Sequence, residues 1–225
     1  MTTQKVDSAV DTVAKLNEVE IRLNGFFAER EDEIHLLTLG AVSGHNLFLI
    51  GDPGTGKDAL IQAFVEAWEF YHSDNKKYFR RLFGPTLSPD EIFGGLDIKE
   101  FENGNFVRNT KGFAPECLIF NATELFKGND VINNTLLDFF NEHKFRNGGT
   151  DTDVPLLFAV ASSNEMPDDN QGALVDRFSL KKSVQPVVEK GSLSTIWKNR
   201  IQGVTKPVMD DIQIEVEGIH AAREL

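Results

Sequence analysis

The sequence predicts an α/β protein built on a mostly parallel sheet, and three observations carry that expectation. Short continuous apolar runs, "LFLI", "ECLIFNA" and "LLFAVASSN", have the length and composition of buried strands. Between them lie segments whose apolar residues repeat at helical spacing, so strands alternate with helices as in a layered sheet with crossovers. The first run passes directly into Gly51-Asp52-Pro53-Gly54-Thr55-Gly56-Lys57 and then an amphipathic stretch, giving strand, glycine-rich turn and helix in that order. With 225 residues, 40% apolar and 10% aromatic, the chain can bury the core of one large domain or two small ones.

Taken in order, Val6, Val10, Val13, Leu16 and Val19 recur at near-helical spacing and predict an amphipathic helix over residues 5–24 that Gly25 ends. A second helix is expected from Glu29 to Val42, with Ile34, Leu37 and Val42 on one stripe and acidic residues in the first turn, where the helix dipole favours them. "SGHN" is the turn before the first strand, and the helix after the glycine loop should cover Ala59 to Tyr71. A strand near Lys77–Phe83 follows, then the Gly/Pro-rich "GPTLSPDEIFGG" and a hairpin-like piece, "IKEFENGNFVRNTKGF", with Asn103-Gly104 at its turn. "ECLIFNA" is a buried strand, and Asp130 to Glu142 is a helix with Val131, Leu136, Leu137, Phe139 and Phe140 on its apolar side. "HKFRNGGTDTDVP" reads as a second hairpin that leads into the third buried strand. Beyond Val188 the pattern weakens: "SLSTIWKNRI" is one helix, and "PVMDDIQIEVEGIHAAREL" begins another without a clear end, as in a truncated chain.

The formal net charge of -12 argues against a broad electrostatic grip on nucleic acid or anionic lipid. Cys117 is the single cysteine and cannot form an internal disulfide, and the N-terminal stretch is too polar for a signal peptide. The longest apolar run, "PLLFAVA", falls far short of the roughly 20 residues a spanning helix needs. Together these point to a soluble cytoplasmic protein.

The chemistry concentrates at the glycine loop. Backbone N–H groups of such a turn, with the positive end of the following helix, cradle phosphate, and glycine permits both the close approach and the unusual φ values. Gly51, Asp52, Pro53, Gly54, Thr55, Gly56 and Lys57 fit this P-loop pattern, with Lys57 placed to meet the terminal phosphates as a point charge. The next position ordinarily carries a hydroxyl that ligates Mg²⁺, and here it is Asp58. A carboxylate is a hard ligand that suits Mg²⁺, but without a metal it would repel phosphate by roughly 4 kcal/mol at about 4 Å and an effective dielectric near 20.

A second acidic motif is expected at the end of a neighbouring strand, where "CLIFNATELF" lies. The residue before Glu124 is Thr123, where an aspartate usually stands, so the carboxylate has become a hydroxyl while the loop hydroxyl has become a carboxylate. Three explanations stand: an exchange in which Asp58 and Thr123 together keep one metal ion, a lost metal site, and a misalignment. Glu124 has the position of a water-polarising residue. Asn164, ending "LLFAVASSN", either holds the attacking water or is an ordinary turn asparagine. Arg177 in "ALVDRF" is either a guanidinium offered to phosphate oxygens in trans or a surface arginine paired with Asp176.

The stretches "GDPGTGKD", "LSPDEIFGGL", "GFAPECLIFNATELFKG", "NNTLLDFFNEHKFRNGG", "LLFAVASSNEMP" and "ALVDRF", in that order, resemble the AAA+ core of the MoxR type and most of all its RavA branch, over roughly residues 5–190. The resemblance implies a P-loop NTPase with a five-stranded parallel sheet flanked by helices, ATP and Mg²⁺ as ligands, and a homo-oligomeric ring, usually a hexamer. It implies chaperone-like remodelling of protein partners. In the family pattern Lys57 binds phosphate, Glu124 activates water, Asn164 is sensor 1 and Arg177 is the finger offered to the neighbouring protomer. "EFENGNFVRN" corresponds to the helix-2 insert and "EHKFRNGGTDTDVP" to the hairpin before sensor 1. Residues 1–190 are then the nucleotide-binding domain with its N-terminal helices, and residues 191–225 are a linker or the start of a truncated helical lid, whose sensor 2 arginine is not recognisable.

Overall fold

A computed structural model describes residues 3–71, 73, 77–168 and 170–224 of the chain. In chain order its helices are α1 (Thr3–Phe26), α2 (Glu31–Ser43), α3 (Lys57–Val65), α4 (Pro89–Phe93), α5 (Ile98–Glu102), α6 (Asp130–Glu142), α7 (Gly172–Val175), α8 (Lys190–Ile201) and α9 (Val216–Arg223). Its strands are β1 (Leu47–Ile50), β2 (Tyr78–Leu82), β3 (Ile119–Thr123), β4 (Lys144–Asn147), β5 (Thr150–Asp153), β6 (Phe158–Ser163) and β7 (Leu180–Ser183). Two compact units emerge, one from the described residues of Met1–His45, Gly51–Asp74 and Lys182–Leu225, the other from those of Asn46–Ile50 and Asn75–Lys181.

The first unit is helical. Ala9, Thr12, Leu16, Val19 and Leu23 of α1 are buried at alternating three- and four-residue spacing, a continuous stripe on one helix face. The expected stripe through Val10 and Val13 is wrong in its first half: these residues are 61% and 43% exposed. The reason is close approach to α9, where a Cβ on Gly218 would lie 1.8 Å from Thr12 Oγ1, so a small and a polar residue occupy the face that hydropathy assigned to valines. Gly25 does not end α1, because Phe27 N–H still donates to the Leu23 carbonyl at 2.7 Å. Between α1 and α2, Glu29 takes a left-handed backbone with φ 57°, which delays the second helix to Glu31. Gly44 closes α2 in the left-handed region, its N–H donating to Gly40 at 2.9 Å.

The helix after the glycine loop is shorter than its periodicity predicts. It stops at Val65 because Ile214 takes up the main chain beyond it, donating to the Ala67 carbonyl at 2.9 Å and accepting from Glu69 N–H at 3.2 Å. Only a short 3-10 turn, Glu69–Tyr71, follows.

The second unit carries the sheet, five strands in the order β2-β3-β6-β1-β7, in which β2 with β3, β3 with β6 and β6 with β1 run parallel. Every residue of β3 and β6 is buried, which explains why both read as unbroken apolar runs. Helix α6 starts at Asn129, whose Oδ1 accepts from Ile132 N–H at 3.1 Å, and buries Ile132, Leu136, Phe139 and Phe140. Val131, assigned to that face, is 64% exposed and Ile132 takes the buried position. Phe120 lies between Phe139 and Phe140, with centroids 5.7 and 5.3 Å away, and Phe140 meets Phe178 at 5.4 Å, so a chain of aromatic edges ties sheet to helix. The β4–β5 hairpin matches expectation, with Gly148 and Gly149 at its turn in positive φ. The segment around Asn103-Gly104 is not a hairpin. Asp97 Oδ1 accepts from Lys99 and Glu100 N–H at 2.9 and 3.2 Å, which nucleates α5, and only a single antiparallel bridge, Leu96 to Arg108, remains. Among the described residues no helix is long and apolar enough to cross a membrane.

Candidate nucleotide site

Within the first unit, the glycine loop holds two kinds of glycine. A Cβ on Gly51 would come within 2.3 Å of the Val184 carbonyl, so chain crowding requires glycine there. Gly54 and Gly56 meet nothing within 4 Å, yet sit at φ 81° and 85°. Their need is conformational, and the open space beside them leaves the loop accessible to a ligand. Gly56 is the residue before α3, and Leu60 N–H donates to its carbonyl at 3.0 Å, so the loop opens the helix as a phosphate cradle does.

Lys57 is buried at 7% exposure and its Nζ donates to the Gly51 carbonyl at 2.6 Å, the Asp52 carbonyl at 3.0 Å and Thr55 Oγ1 at 3.2 Å. Thr55 Oγ1 in turn donates to the Asp52 carbonyl at 2.9 Å, so the ammonium is folded back into its own loop. Asp58 lies in the first turn of α3, half-buried. Gly51 through Asp58 thus form one continuous turn and helix start within the first unit.

Beside the loop is a cavity of about 660 Å³ that sequence reading missed. Phe26 and Phe27 line one part, their rings edge to face at 5.0 Å, and Leu193, Ile196 and Val204 line another. Its size and largely apolar wall suit an aromatic ring system. The doublet "FF" before "AERED" was the only visible trace, because the apolar wall opposite it comes from α8 and from Val204 beyond its end, a stretch that carries no motif. Arg30 was missed as well. Its guanidinium is 4% exposed and donates to the Thr55 carbonyl from Nε at 3.2 Å and Nη2 at 3.0 Å, and to the Gln185 carbonyl at 2.8 Å.

In the second unit Thr123 ends β3, buried, its carbonyl accepting from Phe83 N–H at 2.8 Å. Glu124 follows in a left-handed backbone (φ 57°), a sparsely populated conformation for a non-glycine residue. Its carboxylate accepts a short hydrogen bond from Asn164 Nδ2, and Asn164 N–H lies 3.4 Å from Oε2. Lys127 Nζ is 3.4 Å from the same carboxylate and 3.8 Å from Glu165. Glu124 and Asn164 are therefore in contact across β3 and β6, while Lys127, one helical turn on, is a partner that spacing could have suggested. Arg177 takes no part in this network. Its carbonyl accepts from Asn46 Nδ2 at 3.0 Å, and its Nε is buried with no hydrogen-bond partner among the described residues. Asp58 belongs to the first unit and Thr123 to the second.

Strand, glycine loop and helix, with an acidic residue after a central parallel strand, define the class of P-loop nucleotide-binding proteins. The comparisons agree. A family model described as the MoxR domain in the MoxR-vWA-beta-propeller ternary systems matches residues 14–224. The uncharacterized protein MJ0079 of Methanocaldococcus jannaschii is 35% identical over 175 residues, 77% of this chain and 44% of that protein. The uncharacterized protein MJ0812 of the same organism is 34% identical over 197 residues, 87% of this chain and 51% of that protein. The chain thus spans about half the length of these curated relatives. A crystal structure of a candidate ATPase from Cytophaga hutchinsonii superposes with a TM-score of 0.71 at 18% identity, over 97% of this chain and 64% of that one, which shows a shared fold. The chain belongs to the MoxR-domain family of AAA+ ATPases.

Proposed function

We propose that this chain binds ATP through Gly51–Lys57 and hydrolyses it to drive rearrangement of a protein partner. The observation that carries the reading is the pair Gly54 and Gly56, held in positive φ with open space beside them at the start of α3, next to an apolar cavity large enough for a nucleoside. Phe26, Phe27, Leu193 and Ile196 receive the base, the loop N–H groups receive the phosphates, and Lys57 leaves its own loop carbonyls for the terminal phosphates. Glu124 polarises the attacking water and Asn164 holds that carboxylate and the water in place.

Mg²⁺, when bound, neutralises phosphate charge. Asp58 and Thr123 are the residues we assign to hold it, on the chemistry of one carboxylate and one hydroxyl. Arg177 acts in trans on the nucleotide of a neighbouring copy in a homo-oligomeric ring, for which a hexamer is the family expectation. That role rests on the resemblance of "ALVDRF" to the family pattern. The family description sets the MoxR domain in a ternary system with vWA and β-propeller components, which fits a protein partner, while chaperone-like work rests on the resemblance of the quoted stretches alone. The likeness to the RavA branch rests on the stretches quoted from the sequence, and a cytoplasmic setting on its composition.

The second reading is a ring or scaffold subunit that binds nucleotide without hydrolysing it, favoured by Asp58 and Thr123 standing where a hydroxyl and a carboxylate are usual. Phosphate release from Mg·ATP separates the two. The enzyme reading expects Glu124→Gln to lose about 10²–10⁴-fold in turnover while ATP binding is kept. Equal turnover in the parent and Glu124→Gln contradicts it, and binding without turnover in the parent supports the scaffold.

A further inference from the structure

The loop between α1 and α2 places Glu29 and Arg30 against two other segments of the same unit. The Arg30 guanidinium is buried, and its hydrogen bonds all go to main-chain carbonyls: two to Thr55, one to Gln185 and a short one to Glu29. The Glu29 carboxylate accepts from Val188 N–H at 3.1 Å and Glu189 N–H at 3.0 Å, the groups that precede the first turn of α8. No cap side chain of α8 itself supplies that acceptor, so Glu29 caps the helix from outside, where its negative charge also meets the positive end of the helix dipole. These bonds from the Val188 and Glu189 N–H groups hold the Glu29 carboxyl below its ordinary range.

Two consequences arise from this geometry. A trans peptide points its C=O and N–H in opposite directions, so fixing the Thr55 carbonyl on Arg30 fixes the Gly56 N–H on the far side, as part of the cradle. Helix α8 buries no residue fully, with Trp197 and Ile201 61% and 82% exposed, so core packing holds it weakly and the contacts at its N-terminus carry correspondingly more of its placement.

We infer that Glu29 and Arg30 are positioning residues that tie the phosphate loop to α8, so that occupancy of the loop and the placement of α8 control one another. The inference rests on the nucleotide reading above. It makes α8 the output of the site: a ligand that orders the loop orders α8 through the two side chains, and by reciprocity whatever fixes α8 raises nucleotide affinity by the same factor. Arg30 needs a planar fork for this, since a lysine ammonium cannot hold the Thr55 and Gln185 carbonyls in the same geometry.

Hydrogen–deuterium exchange of the full chain with and without Mg·ATP tests it. In the parent, ATP should slow exchange in residues 51–58 and also in residues 188–201. Glu29→Ala, which keeps the backbone demand at position 29, should retain loop protection and lose protection of α8. Glu29→Gln, which retains one acceptor oxygen, should restore part of it. Arg30→Lys should bind ATP about tenfold or more weakly, the loss of a charged hydrogen bond. Exchange in α1 and α9 reports whether each variant is folded, and a variant unfolded there is replaced in the comparison by Glu29→Gln. Protection of the loop with α8 unchanged in the parent, or α8 protection undiminished in both Glu29 variants, overturns the coupling alone. A parent whose loop is not protected overturns the nucleotide reading and the coupling with it.

Discussion

Replacing Gly56 with alanine separates the conformational role of the loop from its packing. Apart from its own chain neighbours, no atom of the described residues lies within 4 Å of the Cβ position, so repulsion from the rest of the fold contributes nothing. The remaining cost is φ 85°, a region that penalises an L-residue by about 1–2 kcal/mol. For a domain of this size 1 kcal/mol moves Tm by about 2–4 °C, so the variant should melt about 2–8 °C below the parent. ATP at 100 times its Kd stabilises the parent by about 2.7 kcal/mol, an upward shift of about 5–11 °C. Alanine can relieve its strain only by turning the Gly56 peptide, which moves its N–H out of the cradle. The ATP-dependent shift should therefore shrink well below that of the parent, beyond the small loss of intrinsic stability. Differential scanning fluorimetry with and without ATP reads both quantities. An alanine variant with the parent's Tm and the parent's ATP shift refutes the argument from positive φ.

Asp58→Thr and Thr123→Asp form a double-mutant cycle on Mg²⁺-dependent phosphate release: compensation predicts an active parent, two impaired single variants and recovery in the double. An inactive parent that gains turnover only in the double variant contradicts compensation. Glu29 predicts an acid dependence. Its carboxyl is held below the ordinary value of 4.5 by the Val188 and Glu189 N–H groups, so its hold on α8 is complete above that value and is lost as pH falls through the lower folded value. Emission from Trp197 on α8, titrated from neutral to acid pH, should show this transition in the parent and not in Glu29→Gln, whereas coincident curves remove it.

The parallel sheet was legible because strands buried on both faces leave continuous apolar runs, and "ECLIFNA" and "LLFAVASSN" became β3 and β6 with every residue buried. The glycine loop was legible because backbone conformation restricts residue type at Gly54 and Gly56. The misreadings share one physical origin: they depend on the neighbours a segment meets in space. Thr12 is buried because α9 comes close enough to require Gly218, and Val10 is exposed because nothing covers it. Asn103-Gly104 looked like a hairpin turn until Asp97 capped the preceding residues into α5. Arg30 and Glu29 left no motif, since their partners are main-chain groups that any residue supplies. The cavity wall was invisible for a similar reason, its aromatic doublet lying far along the chain from Leu193 and Ile196.

Calorimetric titration of ATP into the parent and into Lys57→Ala tests the central claim most directly. The account predicts saturable binding by the parent and a loss of at least about tenfold in Lys57→Ala, because the ammonium that the loop now holds on the Gly51 and Asp52 carbonyls is the one that meets the terminal phosphates. No binding by the folded parent, or equal affinity in the two proteins, contradicts it.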